Sequence, residues 1–162
     1  MFDEIAPYTL KPGQVYLAKK NGFIRTVVGS AVSICIWDEE LKYACMCHFV
    51  FPAPAIGDRP SGLYASESIP TMLRTLSGAG SKRRSLSAHI LGGASPTALP
   101  DKTAEQNIEA ARYILHQNRI PVICEDVGGR VGRKIVFNAE NGNVAVVKVR
   151  KLRDGDWNDD TE

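Results

Sequence analysis

The side chains of this sequence best suited to nucleophilic or metal chemistry are four cysteines and three histidines. A thiol beside an imidazole can be activated as a nucleophile, and the same two groups also bind zinc. Both chemistries are suggested by one run, Cys45-Met46-Cys47-His48. Because side chains alternate along a strand, Cys45 and Cys47 share one face and His48 lies on the other. No second ligand pair completes a tetrahedral site, so we predict no metal site.

Of the three histidines, His48 has the most apolar sequence surroundings. It lies in the apolar run 47–51, where a buried imidazole must be hydrogen-bonded or take part in chemistry. His89 fits a core position in a predicted strand, and His116 fits a surface position near the end of a predicted helix. The residues alone leave His48 open between a structural and a catalytic role.

Three glycine turns adjoin predicted buried strands, at Gly29, Gly92-Gly93 and Gly128-Gly129. Glycine permits a positive φ and a close backbone approach, so such turns can present N–H groups to an anion or oxyanion. Most glycine turns at strand ends are simply turns. None of the three matches a P-loop or a dinucleotide-binding fingerprint, so they are candidates only.

Apolar periodicity and turn residues define the elements that must position these groups. Strands are predicted at 14–18, 23–28, 31–37, 43–51, 86–91, 121–124, 134–137 and 143–149, and helices at 65–76 and 103–118. Pro70 must begin or kink the first helix, and Thr103 is the predicted N-cap of the second. Strands outnumber helices, so we predict an α+β domain with mixed β-sheets in the core and helices outside.

Length and composition place the chain among ordinary globular proteins. Its 162 residues suit one domain, 44% are hydrophobic, 23% are charged, and the net charge is +2. Nucleic-acid and membrane-surface binding need a clustered basic excess, and the apolar stretches are too short to span a membrane. We expect one cytoplasmic domain over 1–162, without a secretory signal, with reduced thiols and with frayed ends at 1–12 and 153–162.

Six motifs occur in an order and with spacings that resemble one protein family. They are Val28-Gly29-Ser30-Ala31-Val32, Cys47-His48-Phe49-Val50-Phe51-Pro52, Tyr64-Ala65, Leu91-Gly92-Gly93-Ala94-Ser95, Asn107-Ile108-x-Ala110, and Glu125-Asp126-x-Gly128-Gly129 with Arg133. Each motif alone is modest, but six in order are specific and cover residues 13–149. On these motifs the chain resembles the bacterial chemoreceptor glutamine deamidases of the CheD family.

The resemblance implies a fold, an activity and partners. The fold is a sandwich of mixed β-sheets with flanking helices in α/β/β/α layers, similar to bacterial toxin-type cysteine deamidases. The activity is hydrolysis of selected glutamine side-chain amides in chemoreceptor helices, giving glutamate and ammonia. A Cys–His pair performs it without a metal or an organic cofactor. The implied partners are chemoreceptor helices and a CheC-type phosphatase.

The resemblance also assigns site residues, and here the sequence departs from the family. The family motif Gly-Ser-Cys, whose cysteine is the nucleophile, reads Gly29-Ser30-Ala31 in this chain, while His48 keeps the position of the base. The backbone of Gly29 and Ser30 is the candidate oxyanion donor. The nucleophile position therefore holds a methyl group.

A third, polar residue of the family site has an ambiguous position here. It is usually a threonine that lies a few residues before the nucleophile. Alignment without gaps puts Arg25 there, with Thr26 one position away. Both residues are candidates, and we take Thr26 as the catalytic one because of its hydroxyl.

Three explanations of Ala31 are open. In the first, the alanine was introduced in place of a cysteine. In the second, the alanine is natural and the protein still binds its partners. In the third, Ser30, Cys35, Cys45 or Cys47 serves as the nucleophile instead. Cys35 lies about 13 Å further along the strand at ~3.3 Å per residue, and Cys47 faces away from the imidazole. Serine is a much weaker nucleophile than a thiolate. We rank replacement last, so the family activity is expected to be absent or weak.

Overall fold

The computed structural model of the chain describes residues 6–95, 97 and 101–150. These residues form nine strands and two α-helices: β1 (Tyr8–Thr9), β2 (Val15–Ala18), β3 (Phe23–Val28), β4 (Val32–Asp38), β5 (Tyr43–Phe49), α1 (Ala65–Gly78), β6 (Leu86–Gly92), α2 (Lys102–Gln117), β7 (Val122–Val127), β8 (Gly132–Asn138) and β9 (Val144–Val149). No helix among them is long and apolar enough to cross a membrane.

The strands form two mixed sheets. One has four strands in the order β1-β3-β8-β9, and the other has five in the order β2-β5-β4-β6-β7. β1 pairs in parallel with β3, and β7 pairs in parallel with β6. The remaining pairs are antiparallel and include the predicted β4–β5 and β8–β9 hairpins. The predicted α+β class with mixed sheets is confirmed.

Both helices cover the same face of the five-stranded sheet. Alternate residues of β4 and β5 pack there against α1 and α2 in one buried cluster, which includes Val32, Ile34, Cys45, Cys47, Phe49, Ile69, Met72, Ile108, Ala111 and Leu115. The apolar residues of each helix recur every three or four positions, which gives each helix one buried face. The described layers are therefore α/β/β. A second helical layer over the four-stranded sheet, expected from α/β/β/α layering, is not found among the described residues.

A second buried cluster lies between the two sheets. The other face of β4 and β5 contributes to it together with the inner faces of β3 and β8, through Ile24, Val28, Ala31, Cys35, Met46, Leu91, Ile135 and Phe137. Strands β4 and β5 are thus buried on both faces, which explains why they read as continuous apolar runs. Ala31 lies in this inter-sheet layer.

The two chain ends that were expected to fray are the leader 1–12 and the tail 153–162. The leader 1–12 was expected to fray, but Tyr8–Thr9 pairs with β3 and Leu10 is fully buried. The Leu10 N–H also donates to the Arg25 carbonyl at 2.8 Å. Burial of an apolar side chain next to a short strand stabilises this part of the leader. The tail 153–162 lies outside the described residues.

Both helices differ in detail from their predicted beginnings. Asp101, rather than Thr103, caps α2: its Oδ1 accepts from Thr103 N–H at 2.9 Å and from Ala104 N–H at 3.2 Å. An aspartate at this position satisfies N–H groups that a helix leaves unpaired. Pro70 lies inside α1, which continues on both sides of it, so it does not begin the helix.

Candidate active site

β4 and β5 place position 31 and His48 on the same face of the five-stranded sheet. Ser33 lies directly opposite His48, and Ala31 lies two residues before Ser33. Diagonal neighbours in an antiparallel pair have Cβ atoms about 7 to 8 Å apart, within reach of a long or aromatic side chain. Ala31 packs in the inter-sheet cluster with Cys35 and Met46. A thiol at position 31 would therefore face the same inter-sheet layer as the imidazole.

The four-stranded sheet supplies a partner for the imidazole. Oγ1 of Thr26 lies 2.9 Å from Nδ1 of His48. The same oxygen lies 2.9 Å from the Leu10 carbonyl, which can only accept, so the single hydroxyl proton of Thr26 is donated to Leu10. Thr26 therefore accepts a hydrogen bond from Nδ1–H. This tautomer makes Nε2 the basic nitrogen of the ring.

Burial keeps the His48 imidazole neutral. The residue is 1% exposed, and burial lowers the pKa of the ring to about 4 because the charged form loses its hydration. A neutral imidazole can accept a proton from a thiol, whereas a protonated one cannot. At neutral pH the ring is in the state that a general base requires.

The structure separates the two candidates for the third site residue. Nε of Arg25 donates to Oγ1 of Thr9 at 2.6 Å, on the outer face of the four-stranded sheet. Neighbouring residues of a strand face opposite sides, so Thr26 faces inward, where it is 2% exposed and bonded to His48. Thr26, and not the residue that ungapped alignment selects, meets the imidazole.

The three core thiols are poor substitutes for the missing nucleophile. Cys45 and Cys47 face the helices, on the side opposite His48, as their alternation predicted. Burial raises the pKa of Cys47 to about 12 and that of Cys35 well above its usual range. A thiol that stays protonated at neutral pH is a weak nucleophile. Within the described ranges, no three His, Cys, Asp or Glu side chains are grouped to hold a metal.

Backbone hydrogen bonds hold the turn 29–31 at the end of β6. The Gly29 carbonyl accepts from Ala94 N–H, and the Ala31 carbonyl accepts from Gly93 N–H, both at 2.9 Å. These bonds extend the pairing of β4 with β6 past the last residues of the strands. The position of the missing nucleophile is therefore fixed by the chain segment that carries the second glycine turn.

A side chain from α2 holds the third carbonyl of this turn. Nδ2 of Asn107 lies 3.3 Å from the Ser30 carbonyl oxygen and 2.8 Å from that of Val50. No described residue accepts a hydrogen bond from the N–H groups of residues 29–31. Held carbonyls together with available N–H groups are the arrangement that stabilises an oxyanion.

The third glycine turn meets the other two beside position 31. Gly92 has φ of +110°, and a Cβ at this residue would clash with the Ala31 carbonyl. Its own carbonyl accepts from Gly128 N–H at 2.9 Å. The buried Arg133 holds this junction, since its Nη2 lies 2.9 Å from the Gly128 carbonyl and 3.1 Å from Oδ1 of Asp126. The turns that were separate in the sequence form one site.

An apolar rim, formed by the loop 50–64, adjoins the site where β5 ends. Phe51, Ile56 and Leu63 expose their side chains in this loop. The Leu63 carbonyl accepts from the N–H groups of both Val50 and Phe51, at 2.8 and 3.0 Å, which closes the loop against the end of β5. An exposed apolar surface beside a buried polar site is typical of a protein-binding face.

Asn107 and Arg133 belong to the family motifs, but the sequence alone assigns no role to either. The structure shows both buried beside the turn 29–31. Asn107 lies in the buried stripe of α2, three residues after Ala104 and four before Ala111. A polar residue at this spacing in an apolar stripe must find hydrogen-bond partners, and that was the available signal.

Comparison with known proteins identifies the relatives of this chain. The family profile described as "CheD chemotactic sensory transduction" matches residues 52–148. A probable chemoreceptor glutamine deamidase CheD of Sulfurimonas denitrificans is 31% identical over 142 residues, which cover 85% of this chain and 91% of the relative. One from Trichlorobacter lovleyi is 34% identical over 143 residues, with 86% and 89% covered. The chemoreceptor glutamine deamidase CheD of Halalkalibacterium halodurans is 33% identical over 137 residues, with 79% and 85% covered.

These similarities extend over most of the chain. The profile begins after Thr26, Ala31 and His48, so the arrangement of these three residues rests on the structure itself. The relatives, however, align with more than three quarters of the chain at about one third identity. The chain belongs to the CheD family.

Proposed function

We propose that this chain recognises a glutamine side chain presented by a chemoreceptor helix and binds it without hydrolysing it. The relatives are named as chemoreceptor glutamine deamidases. The observation that carries the proposal is the buried Thr26–His48 pair on the sheet face of position 31, where a methyl group stands in place of a thiol. The proposal is the same whether the alanine is natural or introduced.

A cysteine at position 31 would supply the missing chemistry. Nε2 of His48 takes the thiol proton, and Sγ attacks the carboxamide carbon, whose oxygen becomes negative. The C–N bond then breaks, and the protonated ring gives its proton to the departing nitrogen, so that ammonia leaves. Water hydrolyses the resulting thioester to glutamate and restores the thiol. The methyl group of Ala31 cannot perform the first step.

The apolar rim supports binding of a helix next to this site. Phe51, Ile56 and Leu63 offer exposed apolar side chains, and an amphipathic helix binds by laying its apolar face on such a surface. A glutamine on that helix could then enter toward Ala31, which is 8% exposed. A CheC-type phosphatase, implied by the family resemblance, is proposed to use the same rim.

Restoring the thiol tests the proposal directly. We expect Ala31→Cys to convert glutamine to glutamate in receptor fragments, detected by mass spectrometry, while the parent chain binds the same fragments with no conversion. The double variant Ala31→Cys/His48→Gln should lose at least ~100-fold of the gained rate, because general acid–base catalysis contributes about that much or more. Ala31→Ser is the matched control that adds a weaker nucleophile of similar size.

Two results would contradict the proposal. A folded Ala31→Cys variant that binds receptor fragments and leaves every glutamine unchanged would exclude the deamidase geometry. A parent chain that fails to bind either receptor fragments or a CheC-type phosphatase would exclude the binding role.

A further inference from the structure

Asn107 joins the two chain segments that frame the candidate site. Its Nδ2 donates to the Ser30 carbonyl in the turn 29–31 and to the Val50 carbonyl just after β5. The side chain is fully buried, and its Oδ1 has no hydrogen-bond partner among the described residues. Asn107 therefore donates both hydrogens of its side-chain amide to these two carbonyls.

The bond to the Ser30 carbonyl also orients the next N–H group. In a planar trans peptide the carbonyl of one residue and the N–H of the next point in opposite directions. Because Asn107 draws the Ser30 carbonyl toward α2, the Ala31 N–H is directed away from α2. That direction leads toward the side of the sheet on which His48 meets Thr26. A hydrogen bond to the carbonyl also polarises the peptide and strengthens its N–H as a donor.

The unpaired Oδ1 shows that this asparagine is not explained by packing. A buried acceptor without a partner destabilises the folded state, by about 1 to 3 kcal/mol in typical proteins. The neighbouring stripe residues Ala104, Ile108 and Ala111 are apolar, and a leucine at position 107 would avoid the unpaired oxygen but would leave the Ser30 and Val50 carbonyls without this donor. Sites that break a local packing rule in this way are commonly functional.

We propose that Asn107 is a positioning residue of the family reaction, which holds the turn 29–31 so that its N–H groups stabilise the oxyanion formed from the glutamine amide. The inference rests on the proposed function, and it adds how the transition state is held. The Gly93 and Ala94 N–H groups fix the other two carbonyls of the turn. Asn107 supplies the contact that ties the turn to the strand that carries the base.

The first test measures the orientation of the turn in the parent chain, without any reaction. Residual dipolar couplings report the directions of backbone N–H bonds. We expect Asn107→Leu to change the couplings of residues 29–31 while those of β9 stay as in the parent. Asn118→Leu is the matched control, because Asn118 also lies at α2 and donates to a backbone carbonyl, that of Ile114 at 2.8 Å. Asn107→Ala, which removes both donors and adds no volume, replaces the leucine variant if that one does not fold.

The second test measures catalysis in the Ala31→Cys background. We expect Asn107→Leu to lower kcat at least ~100-fold with KM within about threefold, because a backbone N–H turned away from the oxyanion is lost as a donor, and loss of one oxyanion donor typically has this effect. The pH profile of thiol alkylation at position 31 should stay unchanged, because the Thr26–His48 pair does not involve Asn107. A merely structural role would instead shift this profile or reduce the folded fraction.

Each outcome decides for or against the inference. Unchanged couplings at residues 29–31, or an unchanged kcat, overturn it, as does a fall in kcat that matches the loss of folded protein. If Ala31→Cys itself hydrolyses no glutamine, the proposed function fails, and the couplings alone then decide whether Asn107 orients the turn.

Discussion

Thr26 and His48 belong to different sheets, and the 2.9 Å hydrogen bond between Oγ1 and Nδ1 connects the sheets at the candidate site. The threonine also donates to the Leu10 carbonyl, so the proton positions along this chain of bonds follow from chemistry alone. A shift of β3 by one residue would turn Thr26 to the outer face and bring Arg25 or Val27 inward. The orientation of the His48 imidazole therefore depends on the register of β3 within the four-stranded sheet.

Removing the Thr26 hydroxyl should impair the base without removing it. In the Ala31→Cys background we expect Thr26→Val to lower kcat roughly 10- to 100-fold, since a misplaced catalytic group typically costs that much. The ring nitrogen shifts of His48 in NMR spectra should also show loss of the fixed Nδ1–H tautomer. Thr9→Val, the same change in the adjacent strand, removes the acceptor of Arg25 and should leave both readouts unchanged. Full activity of the Thr26→Val enzyme would exclude this orienting role.

The buried His48 should make stability depend on pH. Its pKa is about 4 in the folded protein against 6.5 ordinarily, so between these values the unfolded chain binds more protons. Stability is therefore complete above about pH 6.5 and falls as the pH drops toward 4, by about 3 kcal/mol for this group. Urea unfolding at several pH values measures the slope. Burial also lowers the pKa of His89, which adds a contribution of the same sign.

Two histidine variants isolate the contribution of His48. His48→Gln should reduce the pH dependence between pH 6.5 and 4, whereas His116→Gln, at an exposed position of α2, should retain the parental slope. Equal slopes for parent and His48→Gln would show that the imidazole is not the group responsible.

The folded chain should react with iodoacetamide at one thiol. Cys124 is exposed, and the other three cysteines are buried with raised pKa values. We expect one rapid adduct per native chain and four after unfolding, counted by mass spectrometry. Cys124→Ser should abolish the rapid reaction. Fast labelling of a core thiol in that folded variant would make that cysteine a candidate for the nucleophile that position 31 lacks.

Gly92 should tolerate substitution far less than Gly128. Gly92→Ala adds a Cβ that collides with the Ala31 carbonyl at a φ of +110°, so we expect a loss of about 3 kcal/mol or more. At Gly128 a Cβ meets no atom within 4 Å and φ is +79°, so alanine should cost about 1 to 2 kcal/mol. Urea unfolding compares the two variants. Equal losses would mean that the Ala31 carbonyl does not constrain Gly92.

The apolar rim should contribute directly to receptor binding. Ile56 is fully exposed, and we expect Ile56→Asp to weaken binding of receptor fragments at least about 10-fold, since burial of such a side chain is worth about 1.5 to 3 kcal/mol. Leu41 is exposed in the turn between β4 and β5, at the opposite end of these strands, so Leu41→Asp is the control. Calorimetry measures both. A parental affinity in Ile56→Asp places the receptor elsewhere.

Sequence patterns were sufficient for eight of the nine described strands, both helices and the class of fold. Alternation along β4 and β5 predicted the hairpin and put Cys47 and His48 on opposite faces, and the structure confirms both. Local signals were less informative at the ends of elements. Asp101 competes with Thr103 for the cap of α2, and the strand Tyr8–Thr9 forms because Leu10 finds a place in the core. Such outcomes depend on contacts that a local window does not contain.

The sequence by itself determined the order of the strands and helices, the motifs of the family and the absence of a thiol at position 31. The tertiary structure decided that Thr26 rather than Arg25 meets His48, and that Asn107 holds the turn beside Ala31. The physical reason is that periodicity along a chain specifies which side chains share a face. Which faces meet depends on the packing of sheets and helices built from distant segments.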